Sequence, residues 1–458
     1  MKTYFDLLGQ IAPLDRCHCG PEMEKAYNFL TEHYEGSRKL FYPCNEKIHH
    51  WIIPPYWECT KATLKDSRGN LIADKNRNNL EVYSYSPSFN GEVTLEELDN
   101  HIISDPERPD SILFHFRNQY RHWEPKWGFC IPDKVRKKLK NETYSIEIDS
   151  SFDFSKEMIQ SDYLHPGEKK DEFLFMGHFD HPSMVNDGLS GCLAAFEIIH
   201  RLKGRKTKYS YRAFASVEVI GSVAYLLKEE KIAKNLKEAL FLGFVGIESQ
   251  MVYQQSFGQN SQIDKAVRHI FEFCLSSKNS KNVFSHRELA GNDENVFDSV
   301  GYEIPCGTLL RSPFPEYHTQ FDNMSITSEE KIEEIISTSF KIIDILENNC
   351  FIKANFKGIP CLSNKEINLY LAPEKASNLV TKNQLEQIEI DDNLYYQEKI
   401  YLENNTHLLY PFMNNVVRMA NGEHSLLEIC NLSNIPFFFG LSYVKKMEEK
   451  QLLIRIPV

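Results

Sequence analysis

The sequence predicts an α/β protein built on a mostly parallel, covered sheet, with a small β-rich unit inserted ahead of that sheet. Three observations carry this. From Asp171 onward, apolar runs of strand length alternate with amphipathic helical runs, the pattern of strands joined by crossover helices. Between Trp51 and about Ile148 the texture is instead short, alternating and broken by turn signals such as SRGN. The closing stretch, from Gly422, reads as helix, turn, helix and a short strand.

Taken in order, the first residues read as two helices: an apolar Phe5-Leu7-Leu8-Ile11 stripe, then a helix opened by Pro21 and running through Tyr34. All four tryptophans, Trp51, Trp57, Trp123 and Trp127, lie in the alternating segment and are expected to fill the core of a small β domain. DEFLFMGHFD is the first strand of the main sheet. LSGCLAAFEIIHRL follows it with Leu189, Cys192, Leu193, Phe196, Ile199 and Leu202 at helical spacing. YSYRAFASVEV is the next strand, then a helix from Gly221, then the strand ALFLGFVGIE. A helix near 262–277, the short strand EIPCGTLL and a long amphipathic helix over 328–348 complete the pattern. A chain of 458 residues exceeds one ordinary core. The expected boundaries are 1–51 with 151–352 for the main domain, 52–150 for the insert and 353–458 for the closing domain.

Composition narrows the function. Hydrophobic residues at 42% and charged residues at 25% describe a globular chain. Lys+Arg 52 against Asp+Glu 64 gives a net charge of −12, without general attraction to nucleic acid or anionic lipid. No apolar run approaches the ~18 residues that cross a bilayer. The N-terminus makes a poor signal peptide, and eleven scattered cysteines do not form a secreted disulfide framework, so a cytoplasmic protein is expected. Cys17-His18-Cys19 lacks the gap and the second pair of a zinc knuckle and reads as structural. Residues 361–458 hold nine Lys or Arg against twelve Asp or Glu, a balance of −3. A DNA reader presents a basic face, so packing between domains, or contact within a homo-oligomer, is the expected role there.

Ligand sites in such sheets form at the carboxyl ends of strands. Here those ends are rich in metal-capable side chains: His178, Asp180, His181 and Asp187 after the first strand, Glu218 after the second, Glu248 after the third and His318 after the last. A mixed imidazole and carboxylate set suits zinc or a similar divalent ion.

GHFDHPSMVNDGLSG resembles the His-x-Asp…Asn-Asp-Gly-x-Ser-Gly signature of the co-catalytic zinc aminopeptidases. YHTQFD resembles their closing motif, and IGSVAYL the helix after their catalytic glutamate. With WIIPPYW, RHWEPKWGFC, HPSMVND and PEYHT, nearly the whole chain is similar to bacterial proteins with an aminopeptidase-like domain. These carry an inserted small domain and a C-terminal winged helix. The resemblance implies a three-layer exopeptidase-like domain and one or two zinc ions, other divalent metals being an alternative. In it His178 and Asp187 hold the first metal, Asp187 bridges to the second, Glu248 completes the first site and His318 the second. Asp180 would orient the imidazole of His178. His181, Asp293, Arg311 and Tyr317 would line the substrate side, with a helix N-cap as the alternative for Asp293, and with replacement of a metal ligand or a loop cap as the alternatives for His181.

One departure stands out. The zinc aminopeptidases place two adjacent glutamates where this chain has Val217-Glu218-Val219, so Glu218 must serve as metal ligand or as general base. The reaction implied is hydrolysis of an N-terminal peptide bond or another small amide by metal-activated water. An N-acyl or amino-sugar amide linked to surface polysaccharide is the alternative substrate, and a degenerate, ligand-binding peptidase fold the alternative function. The resemblance also implies a cis peptide bond between Asp187 and Gly188.

Overall fold

The computed structural model describes residues 3–274, 282–371 and 396–458. They divide into two units, Met1–Phe257 with Ser285–Ser337, and Gly258–Phe284 with Thr338–Val458.

The first unit is organised by a mixed sheet. Its strands run in the order Arg38–Pro43, Glu157–His165, Ser210–Ser216, Glu172–His178, Leu236–Gly243, Cys306–Ser312 and Gln250–Gln254. The four strands from Ser210–Ser216 to Cys306–Ser312 are parallel, while the flanking pairs are antiparallel. Glu172–His178 and Ser210–Ser216 are buried at every position, the continuous burial expected of strands covered on both faces. Helix Leu189–Arg201 crosses over between them, its apolar residues recurring every three or four positions. Gly191 lets this helix come close, because a Cβ there would lie 1.9 Å from the carbonyl oxygen of Leu242.

Residues 52–150 carry a second, antiparallel sheet in the order Leu71–Asp74, Tyr56–Lys65, Thr143–Asp153 and Phe89–Thr94. Trp57, Tyr85, Phe129 and Tyr144 are among the residues of its core. The tryptophans correct the expectation. Trp57 and Trp127 are buried, but Trp51 is 37% and Trp123 62% exposed: Trp51 lies on the two-residue strand Trp51–Ile52, which pairs only with Lys47–Ile48, and Trp123 lies in a turn. Thr143–Asp153 leads directly into Glu157–His165 of the main sheet, so one turn joins the two sheets.

The N-terminal helices are Tyr4–Ile11, closed by a Thr3–Asp6 capping box, and Pro21–His33. The segment between them is tied inward by Arg16, which is fully buried. Its guanidinium donates to the carbonyls of Phe179 (2.9 Å), Ile11 (3.0 Å), Ala12 (3.1 Å) and Met184. Burial pulls its pKa down to about 10, with Asp180 and Asp322 opposing.

In the second unit, Cys350–Ala354 pairs antiparallel with both Asn421–Ser425 and Leu453–Pro457. Leu426–Ser433 and Phe437–Glu449 form a helical pair, the first ending on Asn434 in the left-handed conformation. Glu398 is buried here, accepting from the Cys274 thiol at 3.3 Å and from backbone N–H groups of Phe438 and Phe439. Burial pushes its carboxyl up to about 8, against those hydrogen bonds and Lys341. The native state therefore keeps a proton that the unfolded chain releases near 4.5. This contribution to stability is complete below that pH and is lost as pH rises toward 8. Urea unfolding is expected to show stability falling from about pH 6 to about pH 8. Glu398→Gln should flatten that fall, and parallel curves for the two proteins would refute the assignment.

Among the described residues, no helix is long and apolar enough to cross a membrane. All eleven cysteines are free thiols.

Candidate metal centre

His178 is the last residue of its strand, so its imidazole is delivered at the carboxyl end of the parallel sheet. The chain then loops back to Asp187, and the Asp187–Gly188 peptide is cis, as expected from the sequence. A Cβ on Gly188 would lie 3.1 Å from both the Cβ and the N of His178, so only glycine packs there without displacing the histidine. Asp322, four residues after His318, holds this loop. Its carboxylate accepts from the N–H groups of Val185 (3.2 Å), Asn186 (2.8 Å) and Asp187 (2.9 Å). Burial raises the Asp322 carboxyl to about 6, and those backbone donors limit the rise.

Two imidazoles converge on Asp187. His318 Nε2 lies 3.1 Å from Asp187 Oδ2, and His181 Nδ1 lies 3.7 Å from the same oxygen. His181 Nδ1 is 2.9 Å from the Asp187 carbonyl oxygen. A carbonyl can only accept, so Nδ1 carries the proton and Nε2 holds the lone pair of the neutral ring. His181 Nε2 lies 3.1 Å from Glu218 Oε2, and the Tyr120 hydroxyl donates to the same oxygen at 3.1 Å. His178 Nε2 meets Asp293 Oδ2, while Asp293 Oδ1 accepts from the N–H of Val219 at 3.0 Å. His181, His318 and Val219 all have positive φ, so backbone strain is concentrated where these side chains are aimed.

The charges explain one another. Burial works against charge on His178, but Asp293 and Glu218 outweigh it and raise its pKa to about 9. The His181 pKa is raised in the same way, against burial, by Asp187, Asp180 and Glu218. Burial would raise the carboxyls of Asp187 and Glu218, yet the facing imidazoles hold both below their ordinary values. The cluster thus collects positive charge on buried histidines, the situation a divalent cation resolves by displacing their protons.

Two features of the donors fit such an ion. One ligand atom each from His178, His181 and Asp187 lies within 4.8 Å of the others. Asp187 Oδ2 is buried without an aligned hydrogen bond, although His318 Nε2 is only 3.1 Å away. Metal bonds of about 2.0–2.1 Å in a tetrahedron separate neighbouring ligand atoms by roughly 3.3 Å, close to that spacing.

The structure brings His178, His181, Asp187, Glu218, Asp293 and His318 together, but it moves other residues elsewhere. Glu248 lies outside: its side chain is 73% exposed and its carboxylate faces Lys331 Nζ at 3.8 Å, although Val245 and Ile247 just before it are buried. Asp180 does not orient His178. It lies 3.1 Å from His18 Nε2 and accepts from the Glu218 N–H at 3.0 Å. Arg311 spends its donors on Val245 O, Ser249 O, Lys331 O and Glu334, so it is buried structure and not a substrate contact. Tyr317 stacks on His318 at 3.8 Å with 43% of its surface exposed. Asp293 caps no helix through its side chain. His181, expected to line the site, to replace a ligand or to cap the loop, sits among the metal-capable groups.

Sequence reasoning missed the contribution of the segment 108–120. Phe114 N donates to His318 O (2.9 Å), Ile112 N to Gln320 Oε1 (2.7 Å) and Arg108 Nη1 to Tyr317 O (3.1 Å). Phe114 packs on His181 and His318, with centroids 5.1 and 5.2 Å away. His18 was also missed as a partner of Asp180. Its only signal was a buried-looking Cys-His-Cys run, which carries no spacing rule.

Comparison with known proteins places this geometry. Residues 5–349 match the family model described as Domain of unknown function (DUF4910). A relative from Clostridium acetobutylicum, named as a polysaccharide biosynthesis protein with an aminopeptidase-like domain, is 29% identical over 366 residues. That alignment covers 79% of this chain and 82% of the relative. A crystal structure from Clostridium acetobutylicum, described as a peptidase, superposes with a TM-score of 0.80 at 25% identity, covering 99% of this chain and 96% of that one. The zinc aminopeptidase of Bacillus subtilis superposes with a TM-score of 0.52 at 14% identity, over 75% of this chain and 94% of its own, a likeness of fold.

Proposed function

This chain belongs to the DUF4910 family, and from that premise we propose that it is a metal-dependent, aminopeptidase-like hydrolase of amide bonds. The observation that carries the reading is the convergence of His178, His181, Asp187, His318, Asp293 and Glu218 at the carboxyl ends of the parallel strands.

In this reading His178, Asp187 and Asp293 hold one divalent ion, zinc by the nature of the donors. Asp187, His318 and His181 would hold a second. His181 supplies through Nε2 the ligand that Val219 cannot. The missing second glutamate is thus compensated from a neighbouring loop, and Glu218 is released to act as base. A divalent ion held by these residues would supply a water of lowered pKa and a polarising charge for the scissile carbonyl. Glu218 takes the proton and passes it to the leaving amine. Oε2 is the oxygen that meets Tyr120 and His181, so Oε1 is the one available for that transfer. Asp180 fixes the Glu218 backbone, and Asp322 fixes the Asp187 turn.

The relative's name favours a second substrate, an amide on a sugar built into surface polysaccharide. For the architecture we propose that 52–150 is an inserted unit, supported by its separate sheet and core. We also propose that 353–458 is a winged helix, supported by the helical pair and the strands beside it.

The test is metal analysis by plasma mass spectrometry after zinc dialysis, paired with hydrolysis of aminoacyl para-nitroanilides and N-acetylamino sugars. One or two zinc ions per chain and turnover of either class are expected. Protein that takes up no metal would sink the reading.

A further inference from the structure

We propose that Tyr120, contributed by the segment inserted ahead of the main sheet, is the residue that positions the Glu218 carboxylate. The inference rests on the reading of Glu218 as general base, and it follows from counting the donors to one oxygen. Glu218 Oε2 meets two groups, His181 Nε2 at 3.1 Å and the Tyr120 hydroxyl at 3.1 Å. His181 Nδ1 already gives its proton to the Asp187 carbonyl. When His181 Nε2 turns its lone pair to an ion, it has no proton left for Glu218. Tyr120 is then the remaining donor to Oε2 among the described residues.

The phenol is built to serve. Its ring is set edge-on against His18, with centroids 5.2 Å apart and planes at 85°, and Phe116 meets it at 90°. His18 in turn contacts Asp180, which accepts from the Glu218 N–H, so Tyr120 and the Glu218 backbone are registered through the same buried pair. The segment carrying Tyr120 is fixed to the His318 turn by the hydrogen bonds of Phe114, Ile112 and Arg108. Burial, with Glu218 adding to it, keeps the phenol protonated and therefore a donor. A purely packing role would need the ring alone.

The test separates the ring from the hydroxyl. Tyr120→Phe keeps the packing and removes the donor. In the zinc-loaded full chain, kcat on leucine para-nitroanilide is expected to fall about 10–100-fold, with KM within about twofold and zinc content unchanged. Undiminished kcat would overturn the proposal. A second arm needs no turnover. The fluorine resonance of 3-fluorotyrosine placed at position 120 of the zinc-loaded protein is expected to shift with Glu218→Gln and to stay with Glu248→Gln. A resonance indifferent to Glu218→Gln would overturn the contact itself. Should the parent chain cleave no amide offered, the hydrolase reading fails, while the fluorine arm still decides whether Tyr120 holds Glu218.

Discussion

Asp187→Ala is expected to strip the protein of its divalent ion while leaving it folded. Asp187 is where the constellation meets: its Oδ2 faces His318 Nε2 at 3.1 Å and His181 Nδ1 at 3.7 Å. No other carboxylate among the described residues stands between those two imidazoles. Loss of an outer partner of a metal ligand costs about 10–100-fold in affinity. Loss of the shared ligand should exceed that, raising the zinc dissociation constant at least about 100-fold. The loop itself survives, because Asp322 holds it through backbone N–H groups that the substitution leaves in place. Near-ultraviolet circular dichroism should therefore match the zinc-free parent, with zinc by plasma mass spectrometry near the blank. An Asp187→Ala chain that keeps its full metal content would refute the shared-ligand role.

The second large effect separates two acidic residues. The family pattern assigns Glu248 to the first metal, whereas the structure puts Asp293 against His178 and leaves Glu248 in solvent. Asp293→Ala is expected to weaken zinc binding by about 100-fold. Glu248→Ala should change it by less than about twofold, since an exposed pair with a lysine contributes little. Competition with a zinc chelator measures both. The reverse ranking would restore the family assignment and remove Asp293 from the centre.

The contrast shows what a sequence can and cannot tell. His178 and Asp187 are bound to a strand end and to the turn that follows it, and Glu218 comes just after a strand. A strand's period and its last buried residue fix where such a side chain emerges. Glu248 comes five residues after Gly243, beyond the reach of that rule, and its side chain emerges into solvent. Asp293 stands at a four-residue helix within irregular chain, so no periodicity aims it. The main sheet was legible because its central strands are buried on both faces and its helices are amphipathic. The exposure of Trp51 and Trp123 was not, since composition says that aromatics seek burial without saying which of four will find it. Least legible was the aromatic wall of Phe114, Phe116 and Tyr120. Its contacts with His18, His181, Glu218 and His318 join residues far apart along the chain and leave no local pattern.

Arg16 draws two of its hydrogen-bond partners from far along the chain: Phe179 is 163 residues away and Met184 is 168. Other contacts that seat the centre, among them His18 on Asp180, Tyr120 on Glu218 and Phe114 on His318, also span long stretches of sequence. During synthesis the N-terminal segment leaves the ribosome long before those partners exist, and it must wait unsatisfied. Closure of such distant pairs is the slow part of folding. The stretch 171–325, although it holds the segments that resemble the zinc aminopeptidase signatures, is therefore not a module that can be excised. Expressed alone, it would present the carbonyls of Phe179 and Met184 to solvent and leave Glu218 with neither Tyr120 nor the buttress beneath Asp180. Grafting or shuffling of this centre has to carry the first twenty residues and the 108–120 arm with it.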